Sequence, residues 1–193
     1  MEPLAIAEKI KNQFPAEVIE VVESRGQVGV IVAREQIGAM CRWLKDEPEL
    51  RMDHLLALCG VDYVAKNGTY EVVYNLCSIP LRHMIRLRAR VPADDCRIDS
   101  VTCLWRGADW LERECFDLLG IVFDGHPDLR RILLPEGWEG YPLRKTYPLR
   151  LPAEQEWQGY VQLKELSREL SRFDFYSDML SNQAKAGANE AKK

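Results

Sequence analysis

Between Glu112 and Pro148 the chain passes from a pattern that must be helical to one that cannot be. Leu111, Cys115 and Leu118 recur at helical spacing among Glu112, Arg113, Glu114 and Asp117, the mark of an amphipathic helix with a charged outer face. Gly120 stands where such a helix should end in a left-handed residue. Beyond it, five of the ten prolines fall between Pro127 and Pro152, interleaved with Gly125, Gly137 and Gly140. Proline removes a backbone donor and breaks a ladder, so neither helix nor central strand runs through this stretch. Yet Leu129, Ile132, Leu133, Leu134, Trp138, Tyr141 and Tyr147 lie within it, more apolar surface than an isolated chain leaves to water. Something other than its own ladder must order it, and the sequence reads as an extended arm lying in a partner's groove.

Glu112-Arg113-Glu114, Asp117, Leu118-Leu119, His126, Arg130 and Ile132-Leu133 occur in one fixed register, followed by Gly140-Tyr141-Pro142-Leu143-Arg144-Lys145 and Tyr147-Pro148. This set closely resembles the signature of the 30 kDa subunit family of proton-pumping NADH-quinone oxidoreductase, respiratory complex I. So many matched positions are far more specific than one short motif. Thr146 departs from the family, which usually carries an acid there. Phe173-Asp174-Phe175 resembles the family's C-terminal segment, with Ser177-Asp178-Met179 in place of its usual Ser-Pro-Trp.

The resemblance implies a non-redox structural subunit of the hydrophilic peripheral arm, in a complex that carries electrons from NADH through FMN and iron–sulfur clusters to quinone. It implies a clasp on the quinone-cavity subunit, the neighbour that forms much of the quinone site, with iron–sulfur subunits nearby. Membrane contact then comes only through the complex, on the cytoplasmic side of the cell membrane. The interface residues it marks are Glu112, Arg113, Glu114, Asp117, His126, Pro127, Arg130, Arg131, Gly140, Pro142, Leu143, Arg144, Lys145 and Pro148. Related membrane-bound hydrogenases and dehydrogenases with other electron donors use similar subunits, and the residues leave that choice open.

The 193-residue length suits one domain with an extension, and an apolar share of 47% suits a packed core. No stretch approaches the apolar length that a bilayer span needs, and Met1-Glu2-Pro3 does not open a signal peptide. A net charge of −4 argues against nucleic acid as a partner. Cys41, Cys59, Cys77, Cys96, Cys103 and Cys115 contain no Cys-x-x-Cys pair, and their apolar company reads as buried thiol rather than cluster or zinc ligands. No residue of this chain is assigned to catalysis, to a cofactor or to a metal.

The periodicities predict an α+β fold. A two-layer domain over residues 1–124 carries helices packed on a mainly antiparallel or mixed sheet, an extended partner-binding arm covers 125–182, and a disordered tail covers 183–193. Pro3 to Pro15 and Ile37 to Pro48 read as helices, and residues 17–23 and 27–33 as a hairpin across Arg25-Gly26. Met52, Leu55, Leu56 and Cys59 rank as helix slightly ahead of strand. Asn67-Gly68 is the strongest hairpin signal, between strands 61–65 and 69–79. Residues 82–91 predict a strand with Arg82, Arg86, Arg88 and Arg90 on one face and His83, Ile85, Leu87 and Ala89 opposite. The arginine face reads as solvated rather than binding; if it binds, an acidic protein suits it better than DNA. A further strand is expected at 98–105, then a helix from Asp109 with Glu112 completing a capping-box-like start. On the arm, Leu163, Leu166, Leu170 and Phe173 share helical spacing.

Three groups invite catalytic readings. Glu112, Glu114 and Asp117 form a possible acid–base cluster, but Glu112 lies around the helix from Glu114, and Arg113 is the expected internal countercharge. His126, between Gly125 and Pro127, reads as a hydrogen-bonding turn residue, because no nucleophile elbow or second zinc-spaced histidine accompanies it. Arg130 and Arg131 read as partners of protein carboxylates on a neighbouring subunit, since no glycine-rich phosphate loop precedes a helix. A free-standing hydrolase built on Glu114, Asp117 and His126 is the rival from another class.

Overall fold

The computed structural model describes residues 1–149 and 158–170. The chain divides into two compact units, Met1–Pro148 and Leu149–Lys193. The first is a mixed α+β domain. Its elements run α1 (Pro3–Gln13), β1 (Val18–Ser24), β2 (Gln27–Ala33), α2 (Ile37–Asp46), β3 (His54–Tyr63), α3 (Val64–Asn67), β4 (Thr69–Ser78), β5 (His83–Pro92), β6 (Arg97–Asp99), α4 (Ala108–Leu119) and β7 (Val122–Asp124).

Five strands form one sheet in the order β1-β2-β5-β4-β3, antiparallel except where β2 meets β5. Strand alternation divides its faces. Val30, Val32, Leu58, Val72, Tyr74, Leu76, Leu87 and Ala89 point into the core, which Ile6, Ile10, Met40, Leu44 and Leu119 of the helices complete. Pro3 opens α1 with its missing N–H where no partner is needed, and Phe14 ends it edge-on to Trp43, ring centroids 5.7 Å apart. Gly68 takes φ +74° at the exit of α3 and turns the chain into β4, as the Asn67-Gly68 pair predicts.

Three local expectations are corrected. The run from Met52 to Cys59, ranked as helix, belongs from His54 onward to strand β3. The register slips between Leu55 and Ala57, so the extra residue Leu56 is pushed outward, half exposed, while Leu55 and Leu58 both face the core. A bulge thus produces the three-residue apolar spacing that imitates a helix. The strand expected at 98–105 pairs only over Arg97–Asp99, in parallel with β7, before the chain turns at Ser100. Val64–Asn67 forms one helical turn in place of the predicted strand end.

Residues 125–148 contain no regular element, but they belong to the first unit, so the division drawn at residue 124 falls inside it. They are called the strap below. In the second unit α5 spans Gln158–Leu170, with Leu163, Leu166 and Leu170 exposed. Phe173, the Phe173-Asp174-Phe175 segment and the expected tail at 183–193 lie outside the described residues.

Candidate functional site

An α-helix leaves its last four carbonyls without intrahelical donors, and α4 has no basic residue in its last turn to offset its negative end. The strap supplies what is missing. The Phe116 carbonyl accepts from the Gly120 N–H at the left-handed exit that the sequence predicts. Arg131 Nη1 donates to the Asp117 carbonyl at 3.1 Å, the Leu143 N–H to that of Leu118 at 3.0 Å, and Arg144 Nε to that of Leu119 at 2.6 Å. All four terminal carbonyls are satisfied, and the two guanidinium groups place positive charge at the negative helix end.

The Asp117 side chain repeats the pattern from the other direction. It is fully buried, and its Oδ2 accepts three successive strap N–H groups, Ile132 at 3.0 Å, Leu133 at 2.7 Å and Leu134 at 2.8 Å. Oδ1 accepts from Arg131 Nη1 at 2.7 Å. Burial alone would push this carboxyl up, but the Leu134 N–H, the Arg131 guanidinium and the Leu133 and Ile132 N–H groups hold it below its ordinary value. Arg131 also donates Nη2 to the carbonyls of Trp138 at 3.0 Å and Gly140 at 3.3 Å, so one side chain ties three points of the strap to the helix. The Arg131 and Arg144 guanidiniums both stand over the Tyr141 ring, 5.5 and 4.5 Å from its centroid.

Other marked residues take definite places. Arg113 is not the countercharge of Asp117. It stacks on Trp110 and donates to the carbonyls of Arg130 at 3.2 Å and Arg131 at 3.3 Å, which leaves Arg131 to pair with Asp117. Arg130 turns outward to Asp128. The expectation that both arginines reach for carboxylates of a neighbour therefore fails for Arg131, whose partner is internal. His126 accepts the Asp128 N–H at Nδ1, 3.0 Å, so its Nε2 carries the proton that it donates to the Asp109 carbonyl at 3.2 Å. Gly140 has φ +80°, and a Cβ there would stand 2.8 Å from the Tyr147 ring. The Lys145 N–H is held at 2.8 Å by Asp62, a buried acid of β3. Pro142 is half-buried, while Pro127, Leu143 and Pro148 are exposed.

Glu112 does not complete a capping box. The N-cap, Gly107, makes no side-chain cap bond, and Glu112 turns inward instead. Its carboxyl accepts the Ser100 hydroxyl at 2.6 Å and the Val101 N–H at 2.8 Å, which fixes the turn after β6. Desolvation pushes it up to about 7, against those two bonds and with help from nearby Asp109. Glu112, Glu114 and Asp117 thus share no site: the first faces the Ser100 turn, the second is exposed, and the third holds the strap. With His126 bound to two backbone groups, the constellation that a hydrolase would need is not assembled.

The cysteines divide more evenly than expected. Cys41 and Cys115 are buried, while Cys59 and Cys103 are exposed, the former on an edge strand and the latter in a turn. Among the described residues no group of three or more His, Cys, Asp or Glu side chains is placed to hold a metal ion.

The sequence profile of the family described as respiratory-chain NADH dehydrogenase, 30 Kd subunit, matches residues 30–153. The chain belongs to this family. The corresponding NADH-quinone oxidoreductase subunit from Geobacter sulfurreducens is 47% identical over 152 residues, 78% of this chain and 93% of the relative. That from a Roseiflexus species is 44% identical over 149 residues, 77% of this chain and 86% of the relative. Among solved structures, the trypsin-resistant fragment of Nqo5 superposes with a TM-score of 0.58 at 30% identity, over 67% of this chain and all of the fragment. A chain of an archaeal membrane-bound sulfane sulfur reductase shares the fold, with a TM-score of 0.62 at 24% identity over 85% of this chain and 91% of its own. The 30 Kd family match contains both α4 and the strap, so the interlock lies within the shared region.

Two parts of this assembly, Asp62 and Ser100, are not marked by the sequence motifs. Asp62 carries a signal, an acid at an inward position of a strand, but the sequence pattern starts that strand only at Val61. Ser100 carries none.

Proposed function

We propose that the chain is a non-redox structural subunit in the peripheral arm of a proton-translocating NADH:quinone oxidoreductase. There it clasps the quinone-cavity subunit, beside iron–sulfur subunits on the cytoplasmic face of the membrane. FMN, the iron–sulfur clusters and quinone belong to the other subunits. The isolated chain is non-catalytic, and its contribution is positional.

One observation carries this reading. The two buried acids of the signature are consumed inside the chain, Asp117 by Arg131 and three strap N–H groups, Glu112 by Ser100 and Val101. No reacting group is left at their centre. What the interlock presents outward is Trp110, Leu133 and Leu143, each more than half exposed, with Arg130 beside them. Large apolar and arginine side chains on a rigid frame are what an assembly interface uses. Among the described residues no helix is long and apolar enough to cross a membrane, which agrees with membrane contact through partners.

The test is native purification of the full chain, tagged in its own host. NADH:quinone reductase activity and a homologue of the quinone-cavity subunit should co-purify with it, while the chain purified alone should carry neither flavin absorbance nor NADH oxidation. Co-purification with a nickel-dependent hydrogenase, or turnover by the isolated chain, would overturn the reading.

A further inference from the structure

Helices α1, α2 and α4 pack on one face of the five-stranded sheet, and the other face is organised too. Register places Arg86, Arg88 and Arg90 of β5 in one row on it, opposite Asn75, Val73 and Glu71 of β4 on one side and Gly29, Ile31 and Ala33 of β2 on the other. An ordinary solvated sheet face would leave such side chains loose. These are held. Glu71 is only 2% exposed, and its Oε2 accepts Arg88 Nε at 2.8 Å, with Arg88 Nη2 at 2.6 Å from the same oxygen and Arg90 Nε at 3.7 Å from Oε1. Arg86 donates Nε to the neutral Asn75 amide at 2.9 Å. The arginine stems lie across Gly29, where a Cβ would meet Arg88 Cδ at 3.8 Å and Arg86 Cδ at 3.9 Å. Ile31 and Val73 are buried beneath them.

The charge on this face is unbalanced. Arg88 and Arg90 share one buried carboxylate, Arg86 faces only a neutral amide, and Lys66 and Arg88 both stand over the Tyr63 ring at 6.0 and 5.9 Å. Glu20 of β1, aligned with Ile31, is the other acid on the face, and it is exposed. A basic surface thus stands on a chain whose net charge is −4. Burying Glu71 costs desolvation, and its return is orientation, because it fixes Arg88 and Arg90 while Arg86 keeps an uncompensated charge.

We propose that this face, centred on Arg86, Arg88 and Arg90, is a docking surface for an acidic, extended segment of a neighbouring protein chain. Alternate residues of a strand stand about 6.6 Å apart, so the row matches side chains spaced along an extended peptide rather than one compact anion. Guanidinium forks favour planar carboxylates. A nucleic acid would meet the long-range repulsion of an acidic chain. This deepens the assembly reading above and rests on it only in requiring a stable protein neighbour.

The experiment places a photo-reactive phenylalanine analogue at Met84, on the same face and exposed, in the full chain within its native assembly. After irradiation the adduct is mapped to single residues. The expected adduct is a segment of another polypeptide with at least two Asp or Glu residues, and Arg86→Glu should then reduce retention of that polypeptide at least tenfold. Arg86→Lys should retain most of it, and Lys in place of the mapped acid should restore the Arg86→Glu complex. An adduct to lipid, to nucleic acid or within the chain itself, no adduct, or full retention by Arg86→Glu would overturn the proposal. Thermal unfolding of Arg86→Glu is followed alongside, and the cross-link decides the matter if that variant does not fold. Should the chain fail to co-purify with NADH oxidation and yet yield the acidic adduct with charge-swap rescue, the docking surface stands and the assembly reading falls.

Discussion

Helix α4 buries two carboxylates, and they are kept in opposite ways. Glu112 and Asp117 are both fully buried. Glu112 has two neutral donors and is pushed up to about 7, whereas Asp117 has three N–H groups and a guanidinium and is held below its ordinary value. Burial is common to both, so the donors decide the charge state. The end of the helix that holds the strap is locked by an ionised group. The end that holds the Ser100 turn is locked by a group that titrates near neutrality.

The largest effect expected from this contrast is at Arg131. Arg131→Ala leaves the Asp117 carboxylate buried without its cation and frees the Asp117, Trp138 and Gly140 carbonyls, so denaturant unfolding should show a loss of about 3–5 kcal/mol. A loss under about 1 kcal/mol would mean that the N–H groups alone suffice for Asp117.

The pH response at Glu112 comes next. Its folded value near 7 lies above the ordinary value of 4.5, so between them the folded state holds the extra proton. Stability from this group is complete below pH ~4.5 and falls as pH rises through ~7, by about 3 kcal/mol in total. Asp117 has the reverse sign. Its contribution is present above the ordinary aspartate value and is lost only as pH falls through its depressed one. Glu112→Gln should flatten the slope between about pH 5 and 8, and an unchanged slope would assign the titration elsewhere.

Gly120→Ala is expected to cost about 1–3 kcal/mol, from a left-handed φ of +76° and a Cβ 2.6 Å from the Tyr141 ring and the Arg144 guanidinium. Smallest is Arg130→Ala. The side chain is 70% exposed and pairs with exposed Asp128, so stability should change by less than about 0.5 kcal/mol, in contrast to its neighbour. A large destabilisation at Arg130 would blur the distinction between the two arginines that the strap geometry draws.

Local chemistry carried most of what could be read in advance. The Asn67-Gly68 turn, the alternation of β5, the proline that opens α1 and the glycine that closes α4 each act over a few residues, and each was legible. The bulge at Leu56 was not, because one inserted strand residue makes the same apolar spacing as a helical turn. Nor was the strap. Its composition announced that it needed a groove, but a carboxylate and a guanidinium fourteen positions apart leave no periodic trace, and the groove is the end of the chain's own helix. Arg130 and Arg131 look alike as sequence; only the turn of the strap sends one out and the other in.

The central claim is that Asp117 fastens the strap to α4, and hydrogen exchange tests it most directly. In the native chain the amides of Ile132, Leu133 and Leu134 should be protected although they belong to no helix or strand. In Asp117→Asn those three should lose at least tenfold in protection, while amides paired between β4 and β5 keep theirs as the internal reference. Unchanged protection at the three amides, with Asp117 neutralised and the sheet intact, would contradict the account.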